Sequence, residues 1–331
     1  MNKFKNKFAK LLIAATAVIT ACLLGGCDTG VQENQKLQIV TTIFPEYDWV
    51  KEILGDQADN VELTLLLENG TDMHSFQPTM KDILKISTCD VFIYVGGESD
   101  SWVDGVLKGA GNPDRKEINL MEVMGDQAKE EEIVEGMQED DHEDHHGDNH
   151  DDEPEYDEHV WLSLRNASLF SDTITDVLSD ADPEHARLYQ QNAAAYEEKL
   201  AVLDQEYQTS VDQSQSKTLL FADRFPFRYL TDDYGLTYYA AFTGCSAETD
   251  ASFETIIFLA EKLDELKLPA ALTIENSDQK VAKAVIDNTK NKDQQILTLN
   301  SMQSVTKQEV EEGTTYLSIM ENNLQILKEA L

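Results

Sequence analysis

Val61–Thr79 reads VELTLLLENGTDMHSFQPT. Its first part, Val61–Leu67, is an apolar run of strand composition. Glu68–Thr79 follows as a loop, marked by Asn69-Gly70 and Pro78 and carrying His74. In open α/β sheets, ligands sit in the crevice at the carboxyl ends of strands, which is where His74 falls.

The same rhythm extends in both directions. Leu37–Ile43 (LQIVTTI) is a β-branched apolar run and reads as a strand. A helix opens at Pro45 and runs through Leu54, with Trp49 and Ile53 on one face. Residues 79–87 read as a helix, Asp90–Val95 as a strand ending in Gly96-Gly97, and Trp102–Leu107 as a helix. Strands alternating with helices imply parallel βα units. Residues 166–180 and 183–213 read as helices, the second opening at Pro183 after Asp182. At ~1.5 Å per residue a helix near thirty residues reaches about 45 Å, long enough to act as a spine for two lobes. The second half repeats the pattern with strands Thr218–Ala222, Thr237–Phe242, Ala270–Glu275 and Ile296–Leu299. Its helices are 228–233, Ser252–Leu266, Gln279–Thr289 and 306–331, and Asp223–Phe227 reads as a loop. The expected fold is α/β: two lobes with parallel-type sheets joined by one long rigid helix.

Glu139–Glu158 holds twelve Asp/Glu, four His and no Lys or Arg. An acidic run alone reads as a solvated linker, because it cannot bury enough apolar surface to offset its ordering entropy. Four closely spaced imidazoles, His142, His145, His146 and His150, point instead to divalent cations, for which imidazole and carboxylate are ligands. A further imidazole, His159, stands where a folded element begins at Val-Trp-Leu. The formal charge of −37 excludes nucleic-acid or anionic-surface binding, which needs clustered Lys and Arg, and favours cations.

The first residues read as an address. Lys3, Lys5, Lys7 and Lys10 precede the apolar Leu11–Leu24, too short to span a bilayer, and Leu24-Gly25-Gly26-Cys27 has the form of a lipobox. Cleavage before Cys27 would leave a lipidated, extracytoplasmic chain anchored to a bacterial membrane. Cys89 and Cys245 then remain, and their pairing is left open. The expected organisation is a signal peptide 1–27, a tether 28–36, an N-terminal lobe 37–180 carrying the acidic His-rich loop 130–158, a linking helix 181–213 and a C-terminal lobe 214–331.

Several stretches together resemble the metal-specific solute-binding proteins of ABC importers, the zinc/manganese family that includes the ZnuA type: LLLENGTDMHSFQPTMKDI, CDVFIYVG, HVWLSLRNA, DPEHARLYQQNAAAY, DDYGL and TIENSDQKVA. The resemblance runs from about Leu37 to the C-terminus. It implies a metal held between the lobes by His74, His159 and Glu275, delivered to a membrane permease, with Zn²⁺ as cargo and Mn²⁺ as the second candidate. A monomer with no enzymatic activity is expected. One position departs: counting back from Tyr234-Gly235-Leu236 puts Arg224 where the family has a histidine. Arg stays protonated and cannot ligate a metal. Asp223 would then supply the missing ligand, or water or a loop residue would complete the site, or Arg224 would pair with Glu275 or Asp223 and change what the cleft binds. Two other functional classes were weighed. A zinc hydrolase would need an open metal position beside a general base, and no HExxH-type motif is present. A surface adhesin on the same scaffold is the remaining alternative.

Overall fold

The computed structural model describes residues 36–109, 111–138, 155–246 and 250–331. The leader, the tether with Cys27, and His142, His145, His146 and His150 lie outside the described residues. The first lobe runs β1 (Gln38–Thr41), α1 (Phe44–Leu54), β2 (Glu62–Leu65), α2 (Met80–Thr88), β3 (Val91–Tyr94), α3 (Val103–Leu107), β4 (Lys116–Asn119) and α4 (Leu120–Met124). The strands form one parallel sheet in the order β2-β1-β3-β4. β4 was not expected. Only Ile118 of its four residues is buried, so this polar edge strand lacks the apolar signal that marks the other three.

Helices α5 (Leu164–Ala181) and α6 (Ala186–Gln213) follow. The expected start of α6 at Pro183 moves to Ala186, because Asp182 accepts hydrogen bonds from the His185 ring and the Tyr189 hydroxyl and holds a turn there. The buried stripe of α6 is Tyr189, Ala193, Tyr196, Leu200, Leu203, Tyr207 and Val211, spaced by three or four residues throughout.

The second lobe runs β5 (Thr218–Phe225), α7 (Arg228–Tyr234), β6 (Thr237–Thr243), α8 (Phe253–Leu266), β7 (Ala270–Ile274), α9 (Lys280–Asp287), β8 (Gln295–Leu299), α10 (Lys307–Glu311) and α11 (Tyr316–Ala330). Its sheet is also parallel, in the order β6-β5-β7-β8. The two sheets therefore share one winding, and each reverses its strand order beside its first strand, the position that opens a ligand crevice. Two boundaries differ from expectation. β5 continues to Phe225, so Asp223 and Arg224 stand on a strand, at an irregularity in its pairing with β6 between Phe221 and Arg224. The single helix expected over 306–331 breaks at Gly313, whose φ of +97° suits glycine, and restarts at Thr315 with a capping box.

The described part of the acidic stretch begins at Glu155. Glu131 N–H donates to the Glu155 carbonyl at 2.8 Å, and Asp157 N–H donates to the Lys129 carbonyl at 2.8 Å. Asp157, Glu158 and His159 are all buried, so the last residues of the run are not solvated linker.

One hydrophobic core continues through both lobes. α6 packs on α1 and α5 on one side and on α7 and α11 on the other. Trp161 lies fully buried between them. Its indole N–H donates to the Ser301 carbonyl at 2.8 Å, and its own carbonyl accepts from the Tyr316 hydroxyl at 2.7 Å. Tyr316 N–H donates to the Asp48 carboxylate at 2.8 Å. Each is a fully desolvated bond, costly to leave unmade. A smaller cluster around Leu259, Leu263 and Val285 packs the outer face of the second sheet.

Beneath the first sheet's carboxyl edge, the Glu46 side chain caps its own helix by accepting from the backbone of Thr42 and Ile43. Burial, with Asp100 adding to it, pushes its pKa from 4.5 up to about 8. A carboxyl raised on folding adds stability that is complete below its unfolded pKa and lost as pH rises through the folded one. Thermal unfolding followed by circular dichroism should therefore show stability falling between pH 5 and pH 9. In Glu46→Gln, which keeps the uncharged form, that fall should be shallower. An equal slope would show that Glu46 does not couple to pH.

Candidate metal centre

Four loops or strand ends meet in a cleft of about 570 Å³. The loop after β2 contributes Asp72 and His74, the end of β5 contributes Asp223 and Arg224, the turn after β6 contributes Cys245, and the turn after β7 contributes Glu275. His159 approaches the same point from below. It is wholly buried, at the start of the single turn Val160–Leu162 that leads into α5.

The His74 loop folds locally because Asp72 accepts from the His74 N–H at 3.0 Å, capping the turn Met73–Ser75. The second carboxylate oxygen of Asp72 takes the Arg224 guanidinium at 2.6 Å. Arg224 thus pairs with Asp72, not with the side chain of Glu275 or Asp223. Burial works to raise the Asp72 pKa, but Arg224 and His74 outweigh it and hold the carboxyl below its usual range.

Both histidines are oriented by a second contact. Asp157 Oδ1 accepts from the His159 backbone N–H at 2.8 Å and lies 3.0 Å from His159 Nδ1. The Ser99 hydroxyl lies 2.7 Å from His74 Nδ1. With Nδ1 of each ring engaged by a second partner, the two Nε2 atoms are left facing one another, the arrangement of metal-ligating imidazoles. The two Nε2 atoms stand 3.3 Å apart. Two imidazoles bound tetrahedrally to zinc at 2.0–2.1 Å hold their nitrogens about 3.3 Å apart. The pair is spaced as a cation would space it. Burial, followed by the proximity of His159, lowers the His74 pKa to about 3, so this ring is neutral at physiological pH.

A layer of acids backs the pair. Glu158 accepts from the Ser99 N–H at 3.0 Å, fixing the serine that orients His74. This needs Gly97, which has a φ of +76° and whose added Cβ would lie 2.3 Å from the Glu158 carboxylate. Burial raises the pKa of Glu158, and raises Asp100 to about 7.

The predicted ligands separate into two groups. His74 and His159 meet, and the third side chain whose ligand atom lies with theirs, all within 4.8 Å of one another, is Cys245. Glu275 lines the facing wall, its carboxylate accepting from Ser301 N–H and hydroxyl and from Gln303 N–H. Asp223 also lines that wall, accepting from Arg224 N–H at 2.8 Å and Ile274 N–H at 3.4 Å. Neither belongs to the three-residue cluster. The sequence reading missed Cys245, treating it as a disulfide candidate, but Cys89 and Cys245 are both free. The available signal was its position directly after the carboxyl end of a strand, like His74. Burial pushes the Cys245 thiol pKa well up, with Asp157 and Glu131 adding in the same direction.

Residues 39–330 match the model of the family described as "ZnuA: Zinc-uptake complex component A periplasmic". The chain is 33% identical over 327 residues to the zinc-binding lipoprotein AdcA of Streptococcus pneumoniae, covering 98% of this chain and 61% of that protein. It therefore spans under two thirds of AdcA's length. It is 30% identical over 330 residues to the high-affinity zinc uptake system protein ZnuA of Bacillus subtilis, covering 99% of this chain and 98% of that one. Among solved structures it is similar to the Zn(II)-bound ZnuA-like domain of S. pneumoniae AdcA, with a TM-score of 0.68 and 29% identity over 89% of this chain and 98% of that chain.

Outer-shell partners of metal-bound histidines are worth about 10–100-fold in affinity. Asp157→Asn should lower divalent-metal affinity by about that factor, read by chelator competition. Unchanged affinity would remove Asp157 from the site.

Proposed function

The chain belongs to the ZnuA family of periplasmic zinc-uptake components, and from that premise we propose that it captures Zn²⁺ in the cleft between its two sheets and hands it to an importer permease in the membrane. The observation that carries this reading is the pair of facing Nε2 atoms on His74 and His159, 3.3 Å apart. The chain acts outside the cytoplasm, held to the membrane by a lipid on Cys27, as a monomeric binding component with no catalytic step of its own. Among the described residues, no helix is long and apolar enough to cross a membrane.

Capture follows from the electrostatics. The chain carries −37 formal charges, which raises the local concentration of cations. At the cleft, a cation placed between the facing nitrogens would take both as ligands. The acids behind them, Asp157, Glu158 and Asp100, stabilise the added charge without having to ligate it. Glu275 and Asp223, on the facing wall, are the carboxylates that complete coordination. His142, His145, His146 and His150 form an auxiliary, weaker acceptor for the same ion. The lobes share one core, so movement is confined to the loops that carry His74, Cys245 and Glu275 rather than to a wide hinge.

Competitive titration of Zn²⁺ and Mn²⁺ into the full chain tests this. Zn²⁺ should bind more tightly than Mn²⁺, and His74→Ala should weaken Zn²⁺ by more than the ~100-fold upper range of outer-shell losses. Glu275→Ala and Asp223→Ala should each weaken it further than a surface control such as Glu254→Ala. Absence of tight Zn²⁺ binding in the parent chain would end the transport reading.

A further inference from the structure

We propose that Cys245 is a direct ligand of the captured ion, so that the near wall of the site is two imidazoles and one thiolate. The inference deepens the zinc-capture reading and rests on it. Cys245 Sγ and one ring nitrogen each of His74 and His159 all lie within 4.8 Å of one another. Zinc–sulfur bonds of about 2.3 Å and zinc–nitrogen bonds of 2.0–2.1 Å place tetrahedral S and N ligands about 3.6 Å apart. A shift of the 244–246 turn by about an ångström closes any remaining gap, and the turn lies beyond the last residue of β6.

Independent of the thiol, the backbone is built for this approach. A Cβ on Gly244 would sit 2.9 Å from His159 Cε1 and 2.9 Å from the Phe225 carbonyl, so only glycine lets the turn press against the His159 ring. The fully buried His159 brings a ring nitrogen within 4.8 Å of the thiol sulfur. Cys89 shows the contrast. Its Sγ is buried at the end of α2 and donates to the Ile86 carbonyl at 3.2 Å, and it lies outside the cluster.

The donor set decides the cargo. Thiolate is a soft ligand suited to zinc and cuprous ions, whereas manganous ions take carboxylate and carbonyl oxygen. Two nitrogens and a sulfur select Zn²⁺ over Mn²⁺ without help from cavity size. Coordination exchanges the thiol proton for the metal: the S–H bond breaks, the sulfur–metal bond forms from the same electron pair, and the proton leaves to solvent. Oxygen from Glu275, Asp223 or water takes the fourth position.

Cobaltous ion, added alone to the full-length chain, is the probe. The loaded protein should show thiolate-to-cobalt charge-transfer absorption in the near ultraviolet, and Cys245→Ser should lose that band while keeping its far-ultraviolet circular dichroism. Zn²⁺ affinity in Cys245→Ser should fall by at least the ~10-fold that loss of even an outer-shell partner costs, with Mn²⁺ affinity changed far less. Cobalt bound in a His74-dependent way without the band would overturn the thiolate and leave the capture reading standing. A band that survives in Cys245→Ser would assign the thiolate to another cysteine and equally overturn the proposal. A parent chain that binds neither cobalt nor zinc would overturn both.

Discussion

Two imidazole nitrogens face each other across 3.3 Å, and much of the surrounding structure holds them there. An imidazole free to rotate would turn its Nε2 to solvent. His159 cannot, because Asp157 holds both its backbone N–H and its Nδ1, and the ring is sealed from water. His74 is held more loosely, half-buried, by Ser99 and by the Asp72 cap. The held pair is a binding site prepared before the ion arrives, so little ordering entropy is left to be lost on capture.

The asymmetry between the two imidazoles follows from where each sits in the chain. His159 stands at the entry to α5, inside the core shared by the lobes, and its neighbour Trp161 bonds to Ser301 and Tyr316 of the second half. His74 rides a surface loop after β2. That loop is tied across the cleft by Asp72 to Arg224, and further out by a bridge between Asn69 and Thr306. One ligand is fixed to the frame and the other is on the part that can move. Arg224, which cannot bind a metal itself, thereby couples the mobile loop to β5 of the second sheet, a structural use for the residue that departs from the family pattern.

Much of this was legible in the sequence, and the parts that were not share a physical cause. Val61–Leu67 and Ala270–Glu275 announce strands through their predominantly apolar residues, and the observed β2 and β7 fall within them. His74 and His159 were visible because each stands at an element boundary next to such a run. β4 was hidden because an edge strand needs only Ile118 inside. The spine's buried face was obscured because tyrosines supply three of its seven positions, and tyrosine reads as readily on a surface as in a core. Cys245 was hidden for a different reason. Its role depends on contact with side chains about 85 and 170 positions earlier, which no local pattern encodes. A glycine before a cysteine is an equally good loop, disulfide half or free thiol until the fold says what lies opposite.

The shared core also constrains how the ion can leave. Opening the lobes by rotation would break the Trp161–Ser301, Tyr316–Asp48 and Tyr207–Met320 bonds together, all deeply buried. Unmade bonds of that kind cost about 1–3 kcal/mol each, a substantial share of a domain's total stability. Displacing the His74 loop requires only the Asp72–Arg224 pair and a few half-exposed contacts to part, and half-exposed ion pairs contribute little. The low-energy route for release therefore runs through the first lobe's loop. A partner that attracts Asp72 away from Arg224, or supplies its own cation to Asp72, would loosen His74 while leaving His159 in place. Capture and release would then differ by one imidazole, a smaller and faster change than a domain motion.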